Sequence, residues 1–331
     1  MSANSSLVPL NWPLLVEETL RRRKAERLTQ KEHAALASVS IPTMAAFERG
    51  ERTLTLAKAL DILRVVGLVD ERDAGQGAQE IFVREAFARW RALTKELPAD
   101  SFARFRHGWY RFDYAIEGDV QAPPLSELET IIQKAEVRHT GWPEFVTMTR
   151  HELAPYEQDG LIECWVRPDD ERRLADPAHC DFWRIAPEGR AFLMRGYQED
   201  SQDNVRPGTV FDMTLPIWRI AECLLHAVRL GVLLGGPDAS FSVRFRALYS
   251  GLTGRVLRSL SSSPFDLVDA GRAAKSDEAM LELVASRSAI EEDLAGTVYT
   301  VAASLAERFG IVSLSRDFTR SEVSRFRAGR F

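Results

Sequence analysis

The stretch Thr29-Gln-Lys-Glu-His-Ala-Ala-Leu-Ala-Ser-Val-Ser-Ile-Pro-Thr-Met-Ala-Ala-Phe-Glu-Arg-Gly50 predicts two short helices joined by a tight turn. Thr29 is placed to cap the first helix, and Glu32, three residues on, completes a capping box. Ala34, Leu36 and Val39 are spaced to fill the small core between the helices. Ser40 caps the second helix with Pro42 in its first turn, where a missing N–H costs nothing. Met44 and Phe47 then face inward, and Gly50 supplies the C-terminal stop. Caps, core and stop all fall where a helical hairpin needs them.

On these residues the segment resembles the helix-turn-helix family of the lambda repressor and Cro, the XRE family. The resemblance covers roughly residues 12–68, a span of about five-helix size. Its matching positions are Thr29-Gln30, Ala34, Val39-Ser40 and Glu48-Arg49-Gly50. It implies a module that binds double-stranded DNA with its second helix in the major groove. It also implies that Arg23 pairs with Glu48, a contact that orients the helices and costs several kcal/mol to break on one side. Two positions depart from the family pattern: His33 stands where leucine is usual, and Ser38 where the turn glycine is usual. A left-handed Ser38 costs about 1 kcal/mol.

By the same resemblance Ile41, Pro42, Thr43 and Ala46 point at the groove with Ser40 beside them, while Gln30, Arg49 and Arg52 meet phosphates or adjacent bases. Apolar side chains read thymine methyls, whereas strong discrimination of G or A needs bidentate Arg, Asn or Gln contacts. The module is therefore expected to be modestly specific, with DNA shape supplying part of the selectivity. Single modules bury little DNA surface, so a homodimer is expected.

At 331 residues the chain suits two or three domains. The net charge of −5 speaks against a general nucleic-acid coat. Residues 1–70 nevertheless hold ten Lys and Arg against eight Asp and Glu, so the N-terminal module alone is mildly basic. Arg21-Arg22-Arg23-Lys24 supplies that bias, either as a solvated helix face or as phosphate contacts. Three scattered cysteines, Cys164, Cys180 and Cys223, fit a reducing cytoplasm better than a disulfide framework. Met1–Ser6 lacks a leader pattern, and the most apolar stretch, Leu215–Leu234, is broken by Arg219, Glu222, His226 and Arg229. That stretch predicts a buried amphipathic helix and no membrane partner.

Beyond the module, Val69–Glu80 reads as a linker and Ile81–Leu97 as an amphipathic helix with Ile81, Phe82, Ala86, Trp90 and Leu93 on one face. Tyr110, Phe112, Tyr114 and Ile116 alternate with Arg111, Asp113 and Ala115, the pattern of a half-buried strand. Further strands are expected at Leu161–Val166, Phe182–Ile185, Ala191–Tyr197, Val210–Met213 and Phe241–Leu248, with helices at Leu125–Val137 and Pro216–Leu234. After a break at Ser261–Lys275, Ser276–Phe309 reads as largely helical, with Met280, Leu283 and Val284 in its buried stripe. Thr319-Arg-Ser-Glu322 has the form of a capping box opening a last helix.

The predicted strands interleave rings with guanidinium groups. Aromatic faces stack on rings and arginines grip phosphate or carboxylate, so Trp109, Arg111, Trp183, Arg184 and Arg195 form a candidate site for a small anionic or nucleotide-like ligand. Plain amphipathic alternation, with acidic partners such as Asp113 and Asp181, produces the same pattern. His139, His151, Cys164, His179 and Cys180 share a region without any metal-ligand spacing. No nucleophile elbow, phosphate loop or dinucleotide fingerprint is present. No catalytic residue, cofactor or metal is therefore expected.

The expected architecture is multidomain. It has an all-α helix-turn-helix module over 1–70 and a linker with a connecting helix over 71–98. An α+β domain with an antiparallel or mixed sheet follows over 99–260, then a helical C-terminal segment suited to dimerisation over 261–331. The expected function is that of a cytoplasmic DNA-binding transcription regulator with a ligand-sensing domain. The alternative is an antitoxin-like or enzymatic protein whose DNA-binding module autoregulates its operon.

Overall fold

The computed structural model of the chain describes residues 11–69, 77–150, 153–167, 176–258 and 271–329. Met1–Ser6, most of the expected linker and most of the expected break lie outside the described residues. Packing divides the chain into two units, Met1–Phe87 and Ala88–Phe331. The architecture is mixed: an N-terminal helical region, a seven-stranded antiparallel sheet and C-terminal helices.

In the first unit α1 (Trp12–Ala25), α2 (Gln30–Leu36), α3 (Ile41–Glu48) and α4 (Leu56–Val65) occupy the span that its size had suggested for five. Each starts on a side-chain cap, from Asn11, Thr29, Ser40 and Thr55 respectively, and Thr29 with Glu32 forms the full capping box. Val16, Ala34, Val39, Met44, Phe47 and Ile62 meet in its core, whereas Leu36 is half-exposed. The Trp12 ring packs edge-on to Phe47, and its indole N–H donates to the Gly50 carbonyl at 3.0 Å. Helix α5 (Ala78–Thr94) spans the division between the units.

The second unit is built on a sheet whose strands lie in the order β2-β3-β4-β5-β1-β7-β9, every neighbouring pair antiparallel. These are β1 (Trp109–Gly118), β2 (Tyr156–Gln158), β3 (Leu161–Trp165), β4 (Phe182–Ile185), β5 (Arg190–Gly196), β7 (Phe241–Ser250) and β9 (Glu278–Ser286). Gly189, at φ +79°, closes the β4–β5 hairpin in a conformation that glycine adopts without penalty. Two short strands, β6 (Val210–Asp212) and β8 (Val256–Arg258), pair in parallel beside it. Helices α6 (Leu125–Ala135), α7 (Thr214–Gly235), α8 (Arg287–Glu292), α9 (Leu294–Glu307) and α10 (Arg316–Arg327) share one core with one face of the sheet. In α7, Gly231 leaves room for the Phe241 ring, which any larger residue would meet.

Three expectations are corrected. Glu278–Ser286 is a strand, not the start of a helix: nine residues pair with β7, and Ala279, Leu281 and Ala285 alternate inward. Glu, Ala, Met and Leu favour helix intrinsically, but pairing with a long partner strand outweighs propensity. β1 is buried on both faces and is not half-buried, because its inner-face rings meet the helices while Arg111 and Asp113 are paired on the other face. Helix α10 starts at a Ser315 cap; Thr319 and Glu322 lie inside it, and Glu322 accepts the Trp218 indole N–H at 3.1 Å. The C-terminal helices share the common core through Leu294, Val298, Leu305, Phe318 and Phe326. No described helix is long and apolar enough to cross a membrane.

Candidate functional site

The residues Thr29–Gly50 form their two helices through strong local terms. Thr29 and Glu32 satisfy each other's backbone donors, Ser40 Oγ accepts from the Thr43 N–H, and Gly50 takes φ +73° at the stop. The turn between the helices runs through Ser38 at φ +52°, so the left-handed position survives without glycine. His33 is fully buried and reaches the Ile62 carbonyl at 3.0 Å, which ties α2 to α4 where leucine would only pack. Burial pushes its imidazole below the ordinary histidine range, so it stays neutral.

Behind the outer face of α3, Glu48 accepts from Gln30 Nε2 at 2.8 Å and pairs with Arg23 at 2.7 Å, both charged side chains being less than a fifth exposed. The expected Arg23–Glu48 pair is therefore present, and Gln30 is drawn into it. Ser40, Pro42, Arg49 and Arg52 are exposed, and Ile41, Thr43 and Ala46 are half-exposed. Arg49 pairs with Glu51 at 2.7 Å, and Ser40 Oγ lies 2.8 Å from Thr43 Oγ1. The basic run on α1 forms ion pairs within the unit: exposed Arg21 and half-exposed Arg22 hold Glu18, Arg22 also bonds the carbonyls of Val66 and Gly67, and the more buried Arg23 takes Glu48. Those two guanidinium groups hold the Glu18 carboxyl down to about 2.

In the second unit the five residues expected to surround a ligand do not converge. Directly opposed residues of an antiparallel sheet share a face, and the register puts Trp183 and Arg195 on the face that carries Tyr110 and Leu193. Trp109, Arg111 and Arg184 lie on the other. The reason is the two-residue period of a strand, which sends neighbours such as Trp183 and Arg184 to opposite sides. Each arginine is also paired: Arg111 with Asp113 at 3.0 Å, Arg184 with Glu163 at 3.1 Å, and Arg195 with Asp181 at 2.6 Å.

On that second face Glu163, Arg184, Phe192, Asp113, Arg246 and Glu282 stand opposite one another in one lateral row through five successive pairings. Arg89 adds a second guanidinium to Glu163, and Arg246 reaches Asp113 at 2.7 Å. On the core face Arg195 donates to Asp181, the Tyr110 hydroxyl, Glu144 and the Pro143 carbonyl. The former row cross-ties strands and the latter network fixes the loop that carries Glu144. Both read as internal ion pairs.

Of the residues tested for metal ligation, His139 lies against Phe326, Cys164 bonds the Leu153 carbonyl and His179 bonds Asp176; His151 lies outside the described residues. The polar positions of α7 interrupt an apolar stretch. Arg219, Glu222 and His226 recur at helical spacing and all point into the core, where Arg219 and Glu222 meet at Thr140 and His226 bonds the Tyr114 hydroxyl. That periodicity is the sequence sign of a polar interior. The chain matches no family model, no curated protein and no solved structure.

Proposed function

We propose that the chain is a sequence-specific DNA-binding transcription regulator of the cytoplasm that acts as a homodimer. Helix α3 enters the major groove, and the larger unit dimerises and responds to a small ligand. The observation that carries the reading is the capped α2–turn–α3 pair. Its core side is closed by Met44 and Phe47, while Ser40, Pro42, Thr43 and Ala46 remain on its outer side. A short helix held this way presents its first turns to base edges. Phosphate contact falls to Gln30, Arg49, Arg52 and the helix N-termini, for which Gln30 and Arg49 exchange their partners Glu48 and Glu51. The three buried free cysteines suit a reducing compartment.

The test is the double substitution Thr43→Glu with Ala46→Glu. Both side chains lie at the outer face of α3, so the fold is expected to survive while two carboxylates oppose the DNA backbone. Binding sites are first mapped genome-wide with the wild-type chain, and gel retardation on those sites should then be abolished. Normal retardation by the double variant, with an unchanged circular dichroism spectrum, would overturn the reading.

A further inference from the structure

The sheet of the larger unit ends differently on its two sides. On one side β2 is only three residues long, which leaves little backbone to pair. On the other side β9 runs for nine residues, and among the described residues no strand pairs with its outer edge. An open edge of that length carries a row of unused N–H and C=O groups, which proteins commonly blunt with proline, lysine or a bulge. The stretch Glu278-Ala-Met-Leu-Glu-Leu-Val-Ala-Ser286 contains no proline, glycine or lysine, and its register with β7 is unbroken.

The ladder fixes which backbone groups face outward. The Asp119 N–H donates to the Ser240 carbonyl one step past the last β1–β7 pair. In an antiparallel sheet, positions bonded to one neighbour alternate with positions bonded to the other. Asp113, Ala115 and Glu117 therefore bond Arg246, Arg244 and Ser242. The intervening β7 residues, Val243, Phe245, Ala247 and Tyr249, bond Ala285, Leu283, Leu281 and Ala279. The N–H and C=O groups of Met280, Glu282 and Val284 thus point away from β7. Val284 is also 54% exposed, beside an Arg244 held by Glu117 at 2.8 Å.

We propose that the outer edge of β9 is the homodimer interface: two copies pair β9 with β9, antiparallel, about a two-fold axis at Val284, and their sheets join into one. The inference rests on the homodimer part of the reading above and not on DNA binding. A second copy fits because one strand turned on itself brings each outward donor to a matching acceptor. Charge selects the centre. An axis at Glu282 would set that carboxylate directly against its own copy, which is unfavourable, and an axis at Leu283 would leave the two carboxylates on a diagonal. With the axis at Val284, Val284 meets the partner's Val284 and Glu282 meets the partner's Ser286, and these are positions whose backbone groups point outward. On the core face Leu283, already packed partly against the core, stands across from the partner's Ala285. Both faces of the junction gain an apolar centre, and no carboxylates oppose each other.

The experiment is sedimentation equilibrium of the full chain, without DNA, comparing the wild type with Val284→Lys. The wild type should sediment at twice the mass of the chain. Val284→Lys sets two ammonium groups against each other at the axis, so self-association should weaken about tenfold or more. The circular dichroism spectrum should hold, because the exposed side chain is not part of the core. Amide hydrogen exchange gives a second reading on the wild type alone: in the dimer the Glu282 and Val284 amides, which β7 leaves unbonded, should exchange as slowly as those of Leu281 and Leu283. Undiminished association of Val284→Lys, or fast exchange at Glu282 and Val284 in a dimeric wild type, would overturn this interface and leave the homodimer standing. A wild type that stays monomeric at millimolar concentration would overturn both.

Discussion

Glu48 shows how one side chain links local and tertiary terms. Its carboxylate is shared between Arg23 on α1 and Gln30 on α2, so it clamps both helices to α3. Replacement by alanine leaves a mostly buried guanidinium without its counter-charge, which costs on the order of 3 kcal/mol. Glu48→Ala is expected to lower the unfolding free energy of the N-terminal unit by that amount in urea titrations, and an unchanged midpoint would remove the pair as a structural element. His33 acts differently. It takes a position where leucine would contribute only burial, and spends a ring nitrogen on the Ile62 carbonyl in return for a fixed α2–α4 spacing.

At the scale of elements, the turn between α2 and α3 carries a measurable defect. Ser38 holds φ +52° and is exposed, so its side chain supplies little while its Cβ strains the backbone. Ser38→Gly removes that strain, about 1 kcal/mol, against a smaller loss from the more flexible unfolded chain. Hydrogen exchange at the Met44 and Phe47 amides should slow, corresponding to a gain of roughly 0.5 kcal/mol; faster exchange would show that the turn is unstrained. The strand β9 illustrates the opposite limit of local reasoning. Its residues prefer helix one by one, yet β7 offers nine consecutive partners, and the register that buries Ala279, Leu281 and Ala285 decides the outcome.

For the whole molecule, the C-terminal residues share the core and the sheet of the larger unit. β9 extends the sheet beyond β7, and α9 and α10 close the core over α7. A chain ending at Ser276 should therefore lose the near-ultraviolet circular dichroism of the larger unit and become sensitive to protease; native-like signals in that fragment would show that the unit closes without them. What the sequence determined by itself was what local terms govern, the caps at Thr29 and Ser40 and the stop at Gly50, together with the Arg23–Glu48 pair implied by a family resemblance. Only the tertiary structure decided which aromatic and arginine side chains meet. Trp109, Arg111, Trp183, Arg184 and Arg195 looked like one cluster along the chain, but strand alternation and register divide them between two faces and pair each arginine with a carboxylate. The meeting of Tyr110, Phe211, Leu215 and Tyr249 around one cleft was equally illegible, because they come from β1, β6, α7 and β7, segments far apart in sequence that converge only through long-range pairing. Caps and turns depend on neighbours within a few residues, whereas sheet register and cleft formation depend on which distant segments pair, and no local pattern encodes that choice.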